Sequence, residues 1–239
     1  MEKLELISFA SDQALVLSAA SEWLQKLAAL RGLGKPHCVA LSGGRIAKTF
    51  LSAVATQARA NEGWLSNVHF FWGDERCVPA SDSESNFRVA HELLFTPLDI
   101  SKERIHRIRG EETVEFAIAE AEAELCRIAR LDAAGQPVLD VIFLGMGEDG
   151  HVASLFPSEV ESVMSGRAVY RAVTASKPPP RRITLGYAAI AAASEVWVLA
   201  SGAGKEAALR ESLRPDGRTP LARVLRMRER TRIFTDVHI

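Results

Sequence analysis

The residue types best suited to chemistry lie in one glycine-rich segment, Gly-Met-Gly-Glu-Asp-Gly-His at residues 145–151. An imidazole can take up and return a proton near neutral pH, so His151 is the best candidate for a general base. The glycines of the segment would expose His151 and Asp149 to a ligand. The spacing alone leaves His151 three roles, namely catalysis, a structural or helix-capping contact, and metal binding together with Asp149. The metal role lacks an evident third ligand.

The same segment matches the Gly-x-Gly-x-x-Gly pattern of dinucleotide-binding turns. A full helix follows such turns, but here Pro157 comes six residues after His151. The next predicted strand, residues 168–174, does not end in an acidic residue that could bind a ribose. The sequence therefore argues against a nicotinamide cofactor.

A turn of Ser42, Gly43, Gly44 and Arg45 follows a predicted strand at residues 37–41. Its glycines would let the backbone approach a ligand, and the helix after it would present free N–H groups to an anion such as phosphate. A tight turn without a ligand explains the two glycines equally well. The turn is not a Walker A motif, because no Gly-Lys-Ser/Thr sequence follows it.

Three basic residues in later loops suit a phosphorylated ligand. Arg76 follows a predicted strand together with Asp74, Arg182 follows a run of prolines, and Lys205 follows Gly-Ala-Gly. Arginine binds phosphate through paired hydrogen bonds and lysine through its point charge. Taken alone, Asp74 and Arg76 are more typical of an ion pair or a solvated loop, Arg182 of a solvated surface, and Lys205 of a helix cap. Only a fold that brings these loops together would make them one binding site.

The elements that must position these residues alternate between strands and helices. Apolar periodicity predicts strands at residues 4–9, 37–41, 68–72, 138–144, 168–174 and 196–200, a short strand at 104–108 and an edge strand at 231–237, with helices at 16–30, 46–58, 86–94, 111–131 and 221–225 and a strand running into a helix at 183–193. This alternation predicts an α/β fold with a mostly parallel, doubly wound sheet, in one domain spanning residues 1–239. Ligands of such sheets bind beyond the carboxyl ends of the strands, where the residues above lie.

The composition excludes several classes of protein. Lys and Arg number 29 against 30 Asp and Glu, a net charge of −1, which provides no field for a nucleic acid partner. Polar residues interrupt the most apolar stretch, residues 183–204, so no membrane span is predicted. Three scattered cysteines form no disulfide framework and the first residues are acidic, which together predict a cytoplasmic protein.

At these loops the chain resembles the 6-phosphogluconolactonase family. The likeness rests on Leu-Ser-Gly-Gly at 41–44, on Trp-Gly-Asp-Glu-Arg-Cys-Val-Pro at 72–79 with Asp82, Ser85, Asn86 and Arg88, on the highly specific Leu-Gly-Met-Gly-Glu-Asp-Gly-His-Val-Ala-Ser-Leu-Phe-Pro at 144–157, on residues 179–185, and on Gly-Lys at 204–205. The resemblance implies a three-layer, Rossmann-like fold similar to that of glucosamine-6-phosphate deaminase. It also implies hydrolysis of 6-phosphoglucono-δ-lactone in the oxidative pentose phosphate pathway, no cofactor or metal, and a monomer or small homo-oligomer.

The resemblance implies a role for each candidate residue. His151 would activate water, and Asp149 would orient or support it. The substrate's phosphate and hydroxyl groups would be bound by Ser42, Gly43, Gly44, Arg45, Asp74, Arg76, Arg182 and Lys205. The family usually has a small hydroxyl residue where this chain has Arg45, so the phosphate contacts of this turn stay open.

Two alternatives remain open. Glucosamine-6-phosphate deaminase has a similar Gly-Glu-Asp-Gly-His segment, but its pattern places a glutamate five residues after the histidine, where this chain has Phe156. A phenyl ring cannot transfer a proton, so deamination is disfavoured. The other alternative is a sugar-phosphate-binding protein without turnover, which the presence of His151 argues against.

Overall fold

The computed structural model describes residues 4–32, 34–61, 63–157 and 159–239. The strands, in chain order, are β1 (Leu4–Ser8), β2 (His37–Leu41), β3 (Val68–Trp72), β4 (Asp74–Arg76), β5 (Arg130–Leu131), β6 (Pro137–Val138), β7 (Val141–Gly145), β8 (Tyr170–Thr174), β9 (Arg181–Leu185), β10 (Glu195–Ala200) and β11 (Thr231–Thr235). The helices are α1 (Asp12–Leu30), α2 (Arg45–Ala58), α3 (Asn86–Ala90), α4 (Val114–Ile128), α5 (Glu161–Met164), α6 (Tyr187–Ala192), α7 (Glu206–Leu213) and α8 (Pro220–Met227).

A six-stranded parallel sheet forms the centre of the fold, in the order β1-β11-β10-β7-β2-β3. Consecutive residues of β2 and β7 are buried, so both faces of the sheet are covered, as in a three-layer α/β fold. From β2 the chain continues outward to β3, whereas from β7 it continues in the opposite direction to β10 and β11. The crevice between the carboxyl ends of β2 and β7 is therefore a topological switch point, which is where ligands bind in such sheets.

Aromatic side chains fix α1 and α2 against the centre of this sheet. Phe143 on β7 packs against Trp23 of α1 and Phe50 of α2, with ring centroids 5.0 and 4.7 Å apart. All three rings are almost completely buried. Residues 42–44, hereafter the glycine turn, directly precede α2, so this packing also holds the glycine turn beside the end of β7.

A second, antiparallel sheet in the order β4-β9-β8 stands at the same end of the molecule. Its register places Asp74 opposite Thr184 and Arg76 opposite Arg182. The sequence predicted a loop at residues 73–85 and did not predict this sheet. Strand β4 consists of three polar residues paired with a segment about a hundred positions away, so no local periodicity marks it.

The strand predicted at residues 231–237 is present as β11, but its predicted position at an edge is wrong, because β11 lies between β1 and β10. Arg232 places a charged side chain in this segment. In the fold its guanidinium is paired with Glu5 and Glu22 and lies over the ring of Trp197, with 4.9 Å between the guanidinium carbon and the ring centroid. These contacts let a charged residue occupy an internal strand.

Other predicted elements differ at their boundaries. Helix α3, predicted at residues 86–94, ends at Ala90 and is capped by Ser85, whose side chain accepts a hydrogen bond from the backbone N–H of Arg88. The helix predicted at residues 111–131 is confined to α4, and the short strand predicted at residues 104–108 is only a single bridge to β3. Within the described ranges, no helix is long and apolar enough to cross a membrane.

Candidate active site

A pocket opens at the switch point, between the ends of β2 and β7 and the small sheet. His151 lines it, together with all of the residues predicted to bind substrate. Those residues are Ser42, Gly43, Gly44, Arg45, Asp74, Arg76, Arg182 and Lys205. Asp149 is not one of the lining residues but is in contact with His151. The topology thus brings together loops that are up to about 160 positions apart in the chain, as the prediction required.

His151 and Asp149 form a hydrogen-bonded pair. Asp149 Oδ1 accepts from the backbone N–H of His151 at 3.1 Å and lies 2.6 Å from its ring Nδ1. Although partial burial acts in the opposite direction, these hydrogen bonds hold the pKa of Asp149 below its usual value. An ionised carboxylate can only accept, so Nδ1 carries the hydrogen and Nε2 is left as the basic nitrogen.

The glycines around this pair are required by its geometry. A Cβ at position 147 would lie 2.0 Å from His151 Nδ1, so the ring can reach Asp149 only across a glycine. Gly150 has a φ of +78°, a left-handed conformation that side chains with a Cβ rarely adopt. The local sequence therefore fixes the imidazole against the carboxylate.

Phe156 packs against the imidazole of His151. Its ring centroid is 5.1 Å from that of His151, and the guanidinium carbon of Arg182 lies 5.8 Å from the same phenyl centroid. No proton-transferring group occupies position 156, which is where the deaminase pattern has its glutamate.

Arg76 and Arg182 bring two positive charges to the small sheet. Arg76 donates to the backbone carbonyl of Glu84 at 2.6 Å, and Arg182 donates to the carbonyl of Pro179 at 3.1 Å. The carboxylate of Glu84 is 3.9 Å from Arg76, too far for a hydrogen bond. Burial and the charge of Arg76 lower the pKa of Arg182. Carbonyl contacts position these guanidinium groups without neutralising them, so this wall suits an anion.

Lys205 and Arg45 lie on the other side of the pocket. Burial and the neighbouring charge of Arg45 lower the pKa of Lys205, against the opposing effects of Glu148 and Asp236. Arg45 itself pairs with Asp12 at 3.1 Å and donates to Ser201 at 3.2 Å. Its guanidinium therefore links α2 to the first residue of α1 and to the loop after β10, a role that the sequence did not indicate.

Asp74 is enclosed by hydrogen bonds from the protein. Its Oδ2 accepts from the hydroxyl of Ser154 at 2.7 Å, and its backbone carbonyl accepts from the side-chain amide of Asn86 at 2.8 Å. The neighbouring Glu75 carboxylate accepts backbone N–H groups from Arg76, Asn86 and Phe87. Burial raises the pKa of Glu75 to about 7 against these hydrogen bonds.

Sequence reasoning missed Glu75, Asn86 and Ser154 as parts of the site. Their positions within the matched motifs were the only available signal, because polar residues in a loop segment are normally solvated. Within the described residues, no group of three His, Cys, Asp or Glu side chains is arranged to hold a metal ion.

Comparison with known families agrees with this geometry. Residues 10–233 match the model of the family described as glucosamine-6-phosphate isomerases/6-phosphogluconolactonase. The chain belongs to this family. The match covers all of the pocket residues, so the site lies within the family's common domain.

Several members of this family are similar to the chain. It is 43% identical to 6-phosphogluconolactonase of Treponema pallidum over 124 residues, about half of either protein (52% of this chain and 50% of that one). It is 36% identical to 6-phosphogluconolactonase of Haemophilus influenzae over 207 residues, or 86% of this chain and 84% of that one. The solved structure of 6-phosphogluconolactonase from Trypanosoma brucei has a TM-score of 0.86 at 28% identity, with 98% of this chain and 97% of that chain covered. The predicted α/β fold is confirmed.

Proposed function

We propose that this chain hydrolyses 6-phosphoglucono-δ-lactone to 6-phosphogluconate, the lactone-opening reaction of the oxidative pentose phosphate pathway. Family membership and the 6-phosphogluconolactonase relatives support this reaction. The observation that carries the proposal is the pocket itself, in which a histidine–carboxylate pair faces Arg76, Arg182 and Lys205, three cations that have no carboxylate within hydrogen-bond distance among the described residues. A base and an anion site are what a phosphorylated lactone requires.

The reaction needs one activated water molecule. His151 Nε2 would take a proton from water as the water oxygen bonds to C1 of the lactone, and the C1 carbonyl would become an oxyanion. When the C1–O bond of the ring breaks, the imidazolium would return the proton to the departing ring oxygen. Asp149 would stay ionised throughout and stabilise the imidazolium. No covalent intermediate with the protein is needed.

Phosphate binding would fall to the two walls of the pocket. Arg76 and Arg182 on one wall and Lys205 on the other supply positive charge, and the glycine turn supplies the N-terminus of α2. These groups would fix the lactone with C1 near His151, and this positioning lowers the entropy cost of the attack. The cytoplasmic location and the oligomeric state stay predictions from the sequence.

Deamination of glucosamine 6-phosphate is the competing reaction in the same family. It requires several separate proton transfers, and Phe156 occupies the position of one group that would perform them. The contact of Phe156 with His151 also leaves little space for an additional carboxylate on that side of the imidazole. The pocket therefore suits lactone hydrolysis better.

Two assays on the purified protein test this proposal. Freshly prepared 6-phosphogluconolactone should disappear well above its spontaneous rate, and glucosamine 6-phosphate should release no ammonia. His151→Ala, assayed in parallel, separates catalysis from the background. Enzymatic release of ammonia would overturn the assignment. Failure on both substrates, with tight binding of 6-phosphogluconate, would identify a sugar-phosphate-binding protein.

A further inference from the structure

Asn86 is a buried residue at the base of the pocket. It is 3% exposed. Of its two side-chain amide atoms, only the nitrogen has a hydrogen-bond partner among the described residues. Its Nδ2 donates to the carbonyl of Asp74 at 2.8 Å and lies 3.4 Å from Oδ1 of the same residue. Both partners are acceptors, so the nitrogen must face them and the oxygen must face the other way. Asn86 Oδ1 has no hydrogen-bond partner in the described part of the chain.

That oxygen faces the glycine turn. A Cβ at position 43 would lie 1.9 Å from Asn86 Oδ1 and 2.6 Å from its Cγ, far inside van der Waals contact. Gly43 therefore rests directly on the amide of Asn86. The requirement for glycine at this position comes from a neighbouring side chain, since the backbone of Gly43 is not in the left-handed region.

Asn86 also connects the turn to the catalytic loop. Its backbone N–H is held by Glu75 at 2.8 Å, and its side chain is held by Asp74. Asp74 in turn accepts from Ser154, three residues after His151. A continuous series of contacts thus runs from the glycine turn through Asn86 and Asp74 to the loop that carries the proposed base.

We propose that Asn86 is a positioning residue that sets the separation between the glycine turn and strand β4, and thereby the width of the substrate pocket. The effect on turnover rests on the proposed function, whereas the contact between Asn86 and Gly43 does not depend on it. Asn86 would not touch the reacting atoms, because its oxygen is covered by Gly43. An unpaired buried carbonyl is costly, and here it serves as a rigid spacer between two loops.

A double-mutant cycle tests this spacer role. Gly43→Ala should lower kcat/KM for 6-phosphogluconolactone about 100-fold, since a displacement near 1 Å in a reacting geometry has this cost. Asn86→Ala should raise KM about tenfold with a smaller change in kcat, because the turn binds substrate while the His151–Asp149 pair stays intact. In the double variant the new methyl group occupies the space left by the amide. Gly43→Ala should then cost no more than about threefold in the Asn86→Ala background.

Thermal unfolding of the same four proteins provides a readout that does not depend on turnover. Gly43→Ala should lower Tm by about 5 °C in the parent and by clearly less in the Asn86→Ala background. If the parent protein fails to hydrolyse the lactone, the proposed function fails while the Tm cycle still tests the contact. Equal effects of Gly43→Ala in both backgrounds, in kcat/KM or in Tm, would overturn the spacer role. Asn61→Ala, at the far end of α2, is the matched control and should leave KM unchanged.

Discussion

At the residue scale, Asp149 and His151 should behave as one catalytic unit. Asp149→Asn removes the charge that holds the ring hydrogen on Nδ1, and His151→Ala removes the proposed base. We expect either change to lower kcat about 10²–10⁴-fold, and the double variant to lose little more than the worse single variant. Binding of 6-phosphogluconate, measured by calorimetry, should change little, because the proposed phosphate contacts are made by other residues. Full activity of Asp149→Asn would remove Asp149 from the mechanism.

Lys205 gives a second prediction at this scale, which concerns alkaline pH. Burial and Arg45 lower the pKa of Lys205, so its ammonium loses a proton at a lower pH than an ordinary lysine, whose pKa is about 10.4. A neutral amine does not attract phosphate. The affinity for 6-phosphogluconate should therefore decrease as the pH rises from about 7 to about 10, and Lys205→Arg should flatten this decrease because a guanidinium stays charged. Calorimetry across this range measures the effect, and parallel curves for the two proteins would contradict it.

At the scale of elements, the edge strand β3 is joined to α4 by a chain of ring nitrogens. His69 Nδ1 lies 2.9 Å from His106 Nε2, and His106 Nδ1 lies 2.9 Å from the carboxylate of Glu124. Burial lowers the pKa of both histidines. Only one hydrogen fits between the two rings, so protonating both would break their contact.

These lowered pKa values predict acid sensitivity of the fold. Below about pH 6.5 the histidines of the unfolded chain bind protons before those of the folded chain, so the free energy of unfolding should fall as the pH falls. The slope contributed by each histidine is at most about 1.4 kcal/mol per pH unit. Urea unfolding between pH 7 and pH 5 should show a flatter dependence for the double variant His69→Asn, His106→Asn than for the parent. His238→Asn, on the exposed tail, is the control, and the idea fails if all three proteins show the same slope.

The central strands could be predicted from the sequence, whereas strand β4 and the interior position of β11 could not. The strands of the central sheet can be predicted from apolar runs such as those of β2 and β7, because burial on both faces requires consecutive apolar residues. Strand β4 carries no such signal, since its residues serve the pocket and its pairing with β9 is decided by tertiary contacts. The interior position of β11 was hidden for a related reason, because the charge of Arg232 is compensated by residues distant in the chain.

At the scale of the whole molecule, the candidate residues of the pocket were predictable but their contacts were not. Motif resemblance and the rule for strand ends singled out His151 and the cations, which the topology brings to one pocket, and Asp149, which is hydrogen-bonded to His151. The roles of Asn86 and Ser154 were not predicted, because their hydrogen-bond partners are set by packing between loops distant in sequence. Arg45 shows the same limit, since its pairing with Asp12 and Ser201 depends on the order of the strands.

The strand order also joins β11 and Asp236 to the side of the pocket on which we propose that Lys205 binds phosphate. Because β11 lies beside β10, Asp236 reaches the turn after β10, where its carboxylate accepts from Ser201 Oγ at 2.9 Å and from the backbone N–H of Gly202 at 3.0 Å. This turn leads directly into Lys205. Asp236→Asn would place an amide N–H against one of these donors, so the turn should shift and KM for the phosphorylated lactone should rise about tenfold. Unphosphorylated glucono-δ-lactone should show almost no change, because it does not use Lys205. Asp216→Asn, an exposed surface change next to Arg214, is the control. Initial rates on both lactones decide the point, and an equal loss on the two substrates would mean that Asp236 supports the fold in general and not the phosphate contact.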